Sequence, residues 1–180
     1  MGFSNPQQNI VQFQLPDGST VVDLGAGTGA YSIAMAKVIG PSNGKVYAVE
    51  VQKEFLSKIQ TNASNEGVGN IEVIWGDIEE VEGTKLADNF ADAVVVANVL
   101  FQIENKDGLV KEANRILKPG GKVLVVDWSD SFGGLGPQPE YVVAEEEAKS
   151  LFEKENLSYE KNIVAGEHHF GIIFRKSNKT

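Results

Sequence analysis

Short runs of aliphatic and β-branched residues alternate along the chain with stretches whose apolar positions recur every three to four residues. Strands buried on both faces read as continuous apolar runs, and helices laid over them show one apolar stripe, so this alternation predicts a parallel sheet wrapped by helices. "STVVDL", "KVYAVE", "NIEVIWG", "DAVVVANV" and "KVLVVDW" are the expected first five strands. "NPQQNIVQF" predicts a short leading helix with Asn5 as N-cap and Pro6 at the first helical position. "AYSIAMAKVI" predicts a helix stopped by Gly40-Pro41, and the next helix places Phe55, Leu56, Ile59 and Ala63 on one face. A later helix carries the stripe Leu109, Ala113, Ile116 and Leu117 and ends at "KPGG". The segment from Ile78 to Ala91 is too short and too broken by Gly83 for a crossover helix, with room for one turn in "TKLADNF". A helix around Ala144 to Asn156 precedes two final strand-like runs, "LSYEKNIVA" and "HHFGIIFRK". Between the fifth strand and that helix lies "SDSFGGLGPQPEY", residues 129–141, whose length and Gly/Pro content make it a candidate lid or binding loop.

The chain has 180 residues, 42% of them hydrophobic, which suits one packed core and a single domain over residues 1–180. Without cysteine, disulfides and cysteine-based zinc sites or nucleophiles are excluded, and no metal-ligand cluster stands out. The amino terminus lacks a basic start and long apolar core, and no apolar run reaches membrane-spanning length, so a cytoplasmic protein without membrane insertion is expected. A net charge of -9, with only 16 scattered Lys and Arg, argues against nucleic acid as a partner, because that binding rests on clustered cations displacing counterions. A small molecule is the expected partner, and a cationic one is tolerated.

"VVDLGAGTGA", residues 21–30, supplies the first chemistry. Glycines at 25, 27 and 29 let the backbone leave a strand, turn sharply and pass close to a ligand. Read as G-x-G-x-x-A through Ala30, the stretch is also a dinucleotide fingerprint, so alone it admits either a nicotinamide cofactor or S-adenosylmethionine. Ligands of open α/β sheets sit beyond the carboxyl ends of the strands. Glu50 ends the second strand, where a carboxylate can accept both hydroxyls of a ribose, a group both cofactors carry. Asp77 follows the third strand, able to accept from an adenine amino group while the Ile78 amide donates to the ring. Asp23, two residues before the first glycine, favours a cationic ligand and disfavours a pyrophosphate.

The ordered set "VVDLGAGTG", "VYAVE", "VIWGDIEE", "FADAVVVANVL" and "RILKPGGKVLVVDWS" resembles the class I S-adenosylmethionine-dependent methyltransferases over roughly residues 15–130. Within them it is most similar to small methyltransferase-domain proteins around the ubiquinone/menaquinone methyltransferases. The resemblance implies a Rossmann-like three-layer α/β sandwich with a seven-stranded, mostly parallel sheet of order 3-2-1-4-5-7-6, the last strand antiparallel. It implies S-adenosylmethionine as cofactor, with Gly25, Ala26, Gly27 and Gly29 beneath its methionine and ribose portions and Asp23 orienting its amino group. It further implies Glu50 at the ribose, Asp77 and Ile78 at the adenine, Val51 as a further cofactor contact, and backbone near Asn98 facing the methionine amine, with Asn98 itself equally a residue that ends its strand. Two departures stand out: Phe101-Gln102 occupies the place where many relatives carry His, and the long N-terminal helices and insertions of larger members are missing.

For the acceptor, His168 and His169 are the catalytic candidates, since "GEHHF" should turn at the ligand edge. Alternating strand geometry faces the two rings opposite ways, so at most one reaches the cleft. Phe101, Gln102, Trp128 and Tyr141 are candidate substrate contacts, and Asp127, Asp130 and Phe132 lie in the same region. Methyl transfer from an activated sulfonium needs mainly orientation, which supplies roughly 7–11 kcal/mol, with a base adding about 10²–10⁴-fold if the acceptor must lose a proton. The leading expectation is methyl transfer to a small organic acceptor, with carbon, oxygen and nitrogen all open. The alternatives are a non-catalytic S-adenosylmethionine-binding module and an NAD-dependent oxidoreductase using Gly25, Gly27 and Ala30.

Overall fold

In the computed structural model, which describes residues 3–40 and 43–178, the apolar runs form one seven-stranded sheet. Its strands are β1 (Thr20–Leu24), β2 (Lys45–Glu50), β3 (Ile71–Trp75), β4 (Ala91–Ala97), β5 (Leu117–Trp128), β6 (Leu157–Asn162) and β7 (His169–Lys176). They lie in the order β3-β2-β1-β4-β5-β7-β6. The first five run parallel, and β7 is antiparallel to both β5 and β6. The expected order and the direction of the last strand are therefore both present.

The helices are α1 (Pro6–Phe13), α2 (Ala30–Val38), α3 (Lys53–Asn65), α4 (Lys106–Ile116) and α5 (Glu145–Lys154). Alternate residues of the central strands feed two separate cores. Val94, Val96, Val123 and Val125 meet Leu109 and Ile116 of α4 and Phe152 of α5. Ala93, Val95, Leu124 and Val126 meet Ile10 and Phe13 of α1 and Ala34 and Met35 of α2. Such two-sided burial explains why these strands read as unbroken apolar runs. Ile59 of α3 closes the second face over Ala48. α1 begins as its sequence predicts: the Asn5 side chain accepts from the Gln8 amide at 3.1 Å, with Pro6 directly after the cap.

Three expectations need correction. Leu117 opens β5 in extended conformation rather than closing the α4 stripe, because Pro119 biases the preceding residue away from helix. "KPGG" accordingly lies inside β5, where a register shift between Ala91 and Ala93 absorbs it. The connection from Ile78 to Phe90 holds no crossover helix, as its sequence predicts, but the helical turn allowed in "TKLADNF" is absent as well, and the segment is held from α4 by the buried Glu112 carboxylate. Of the Gly40-Pro41 stop, Pro41 lies outside the described residues. Among the described residues no helix is long and apolar enough to cross a membrane.

Candidate cofactor and acceptor cleft

The parallel strands β1 to β5 end on one edge of the sheet, and β7 enters at that edge through the pairing of His169 with Trp128. The turn after β1 is tied to β2 by the Gly25 and Ala26 amides, both donating to the Val49 carbonyl at 3.0 Å. Gly25 has φ +77, and a Cβ there would lie 2.6 Å from Val99 Cγ2, so both backbone and packing demand glycine.

Glu50 is buried and oriented by backbone. Its Oε2 accepts from the Gly27 amide and its Oε1 from the Gln52 amide, both at 2.8 Å. A carboxylate oxygen has two lone pairs, so each retains one for a ligand hydroxyl. Asp23 is buried at the end of β1, its Oδ2 accepting from Ser32 Oγ at 2.5 Å. Burial pushes its carboxyl up to about 6, against the lowering effect of Ser32. Asp77 is exposed, next to the buried Ile78, and accepts from the Glu79 amide at 2.9 Å through Oδ1.

Asn98 sits just past β4 with φ +57. Its amide donates to the Val126 carbonyl at 2.8 Å, and its own carbonyl accepts from Gln102 Nε2 at 2.6 Å. Its side-chain Oδ1 is sealed from solvent with no hydrogen-bond partner among the described residues. A buried acceptor left without a donor costs about 1–3 kcal/mol.

These residues line two adjoining cavities. One, of about 340 Å³, is bounded by Gly25, Gly27, Glu50, Val51, Asp77 and Ile78. The second, of about 240 Å³, is bounded by Asp23, Ala26, Tyr31 and Asn98 and shares Gly25, Gly27 and Gln102 with the first. Gly29 lines neither; it caps α2, and α3 packs Ile59 against it.

A third cavity, of about 420 Å³, lies over the end of β5, bounded by Phe3, Ser4, Asn98, Trp128, Gly136 and His169. Ser4 and Asn98 also line the second cavity, which joins the two spaces. The glycine-rich loop rests on the Trp128 ring: a Cβ at Gly136, φ +76, would come within 2.6 Å of it. Of the histidines, His169 lines this cavity and its ring lies 4.3 Å from that of Trp128. His168 is turned outside it, stacked on Phe132 at 4.1 Å and holding Asp130 Oδ1 through Nδ1 at 2.8 Å.

Other sequence candidates fall elsewhere. Phe101 lines none of the three cavities, and the exposed Tyr141 sits on a 3-10 turn away from them. Gln102 borders the glycine-turn cavities rather than the one at Trp128. Asp127 is a buried brace: it accepts from the Val99, Leu100 and Trp128 amides at 3.0, 2.8 and 2.8 Å and so fixes the loop carrying Asn98. Burial pushes its carboxyl up to about 6. Sequence reasoning missed Ser4 and Tyr31, linked to the buried Asn9 in α1 by its Nδ2 donating at 3.0 and 2.8 Å. A buried asparagine on the apolar face of a leading helix was the available signal. Among the described residues no His, Asp and Glu group is arranged to hold a metal.

A family model described as a methyltransferase domain matches residues 15–178. The chain belongs to this methyltransferase-domain family. Curated relatives include the ubiquinone/menaquinone biosynthesis C-methyltransferase UbiE of Chromobacterium violaceum, 33% identical over 120 residues, 67% of this chain and 47% of that protein. UbiE of Cupriavidus metallidurans is 34% identical over 120 residues, with the same shares. The chain thus spans about half the length of the curated relatives it matches. Among solved structures, a SAM-dependent methyltransferase from Aquifex aeolicus superposes with a TM-score of 0.85 at 27% identity, covering 96% of this chain and 90% of that one. The strand order and the family match therefore agree on a methyltransferase-type domain.

Proposed function

We propose that this methyltransferase domain transfers the methyl group of S-adenosylmethionine to a small organic acceptor held in the Trp128 cavity. The observation that carries this reading is the buried Glu50 carboxylate, held by the Gly27 and Gln52 amides where it lines the glycine-turn cavity. The cofactor's ammonium lies in the adjoining cavity, where Asp23 offers a negative charge and Asn98 forms part of the wall toward Trp128. Glu50, already oriented by two amides, takes the ribose hydroxyls, and Asp77 with the Ile78 amide takes the adenine. A pyrophosphate beneath Gly25 and Gly27 would instead face the carboxylates of Asp23 and Glu50, which disfavours the dinucleotide reading.

The cofactor brings a methyl group already activated on sulfur. The chain's own residues have to orient the acceptor and exclude water, and well-oriented reactants gain roughly 7–11 kcal/mol. Asp127 contributes by fixing the Asn98 loop, and the glycine-rich loop contributes by covering Trp128. The reading takes residues 1–180 as one working domain in the cytoplasm, with a small-molecule rather than nucleic-acid partner; its support is the acidic charge and the size of the cavities.

The test is a thermal melt with S-adenosylhomocysteine and, separately, NAD. S-adenosylhomocysteine at one hundred times its dissociation constant is expected to add about 2.7 kcal/mol, with no comparable shift from NAD. A shift from NAD alone contradicts the reading.

A pH dependence follows from Asp23. Its carboxyl is pushed up to about 6 in the fold from an ordinary 3.8, so the folded state holds the proton more tightly than the unfolded one. That stabilisation is complete below about pH 4 and is lost as pH rises through 6. Between about pH 5 and pH 7 the ligand-free protein is expected to lose on the order of 1 kcal/mol from this group, and Asp23→Asn should flatten that decline in a denaturant series. Cofactor affinity should move oppositely, rising over the same interval as the carboxylate forms, and an affinity that falls instead would count against the ammonium contact.

A further inference from the structure

Resting on the reading above, we infer that His169 is the general base for an acceptor hydroxyl, making this domain an O-methyltransferase for a neutral, flat hydroxylated molecule. The ring's protonation pattern is set by its partner. His169 Nδ1 lies 2.9 Å from the Glu167 carbonyl oxygen, and a carbonyl can only accept. Nδ1 therefore carries the hydrogen of the neutral ring, and Nε2 carries the lone pair, with no hydrogen-bond partner among the described residues. An imidazole held through one nitrogen by a carbonyl, with the other free in a cavity, has the arrangement of an oriented base.

The cavity wall narrows the acceptor. Trp128 and Phe3 offer aromatic faces, their centroids 6.3 Å apart and tilted by 58°. Its lining contains no Lys or Arg, so nothing there compensates a carboxylate or phosphate on the acceptor. Ser4 and Asn98 stand at the join with the cofactor cleft, so an acceptor hydroxyl between them and Nε2 lies on the side from which the methyl group arrives. A hydroxyl keeps its proton at neutral pH, so its attack on the methyl carbon gains from a base within reach. The step balances as follows: the O–H proton passes to Nε2, the oxygen pair forms the new O–CH3 bond, and the C–S bond breaks with its electrons returning to sulfur. The titratable groups around His169 are Glu167 in the same turn, His168 with Asp130 behind it, and buried Asp127 in the facing strand.

The test uses the full chain with S-adenosylmethionine and 2-naphthol, with and without added imidazole. The wild type should form 2-methoxynaphthalene, and His169→Ala should lower kcat for 2-naphthol by about 10²–10⁴-fold, with added imidazole restoring part of the loss. Nitrogen-15 spectra of the neutral wild-type ring should show the hydrogen on Nδ1, which keeps the inference testable should the variant fail to fold. A loss that imidazole leaves unchanged, a ring-methylated product, no methyl ether from a protein that binds S-adenosylhomocysteine, or a hydrogen on Nε2 would each overturn it. Failure of S-adenosylhomocysteine to bind at all overturns the underlying cofactor reading instead.

Discussion

Glu50→Ala is expected to weaken binding of S-adenosylhomocysteine by about two to four orders of magnitude. Two charge-assisted hydrogen bonds from ribose hydroxyls are each worth about 1.5–3 kcal/mol, and the substitution removes both. It also strips the acceptor from the Gly27 and Gln52 amides, so the glycine turn loses the group that ties it to the end of β2. Glu50→Gln should fall between, since an amide offers one carbonyl where the carboxylate offered two acceptors. Isothermal titration of the three proteins gives the ranking, and equal affinities would remove Glu50 from the site.

The largest effect on stability is expected at Glu112, which no ligand role requires. Its fully buried carboxylate accepts from the Glu82 and Thr84 amides at 2.8 and 3.2 Å, from Thr84 Oγ1 at 2.5 Å, and from Arg115 Nε and Nη2 at 2.8 Å each. One side chain of α4 thereby holds the helix-free connection between β3 and β4, and Arg115 extends the grip to the Leu86 carbonyl and Asp88. Glu112→Ala leaves two amides without partners and a largely covered guanidinium with only the Leu86 carbonyl and Asp88, and should cost about 3–5 kcal/mol in urea unfolding at neutral pH. Burial opposes ionisation of this carboxyl, but the hydrogen bonds from Arg115, Thr84 and the two amides outweigh it and hold it below its ordinary range. A lowered folded value means that the stabilisation is present above about pH 4.5 and lost as pH falls through the lower value. The gap between wild type and variant should therefore shrink in acid, and a constant gap would show that packing rather than charge is at work.

The sheet was legible because its strands are buried on both faces, which forces the unbroken aliphatic runs of β1, β4 and β5. The start of α1 was equally legible, since Asn5 and Pro6 are read by local rules alone. Local rules failed where distant contacts decide. Leu117 continues the helical stripe in sequence, yet Pro119 and pairing with Ala91 put it in a strand. Residues 78–90 carry no periodic signal, and their conformation is set by a carboxylate some 30 positions away.

Asp23, Glu50 and Asp77 could be placed at one sheet edge by counting strands, because each stands at or just past a strand end in a fixed order. Gly29 was the exception: it shares the spacing of Gly25 and Gly27 but serves packing against Ile59. The acceptor side was less readable, since Phe3, Ser4, Gly136 and His169 come from opposite ends of the chain and meet only through the fold. Adjacent residues His168 and His169 could not be told apart by sequence; their partners, Asp130 and the Glu167 carbonyl, separate them.

A crystal structure with S-adenosylhomocysteine bound tests the central claim most directly. The account predicts the ribose hydroxyls on Glu50, the ammonium in the cavity bounded by Asp23 and Asn98, and the sulfur facing the cavity between Trp128 and His169. A ligand with its ribose away from Glu50, or with its sulfur turned from that cavity, would contradict it.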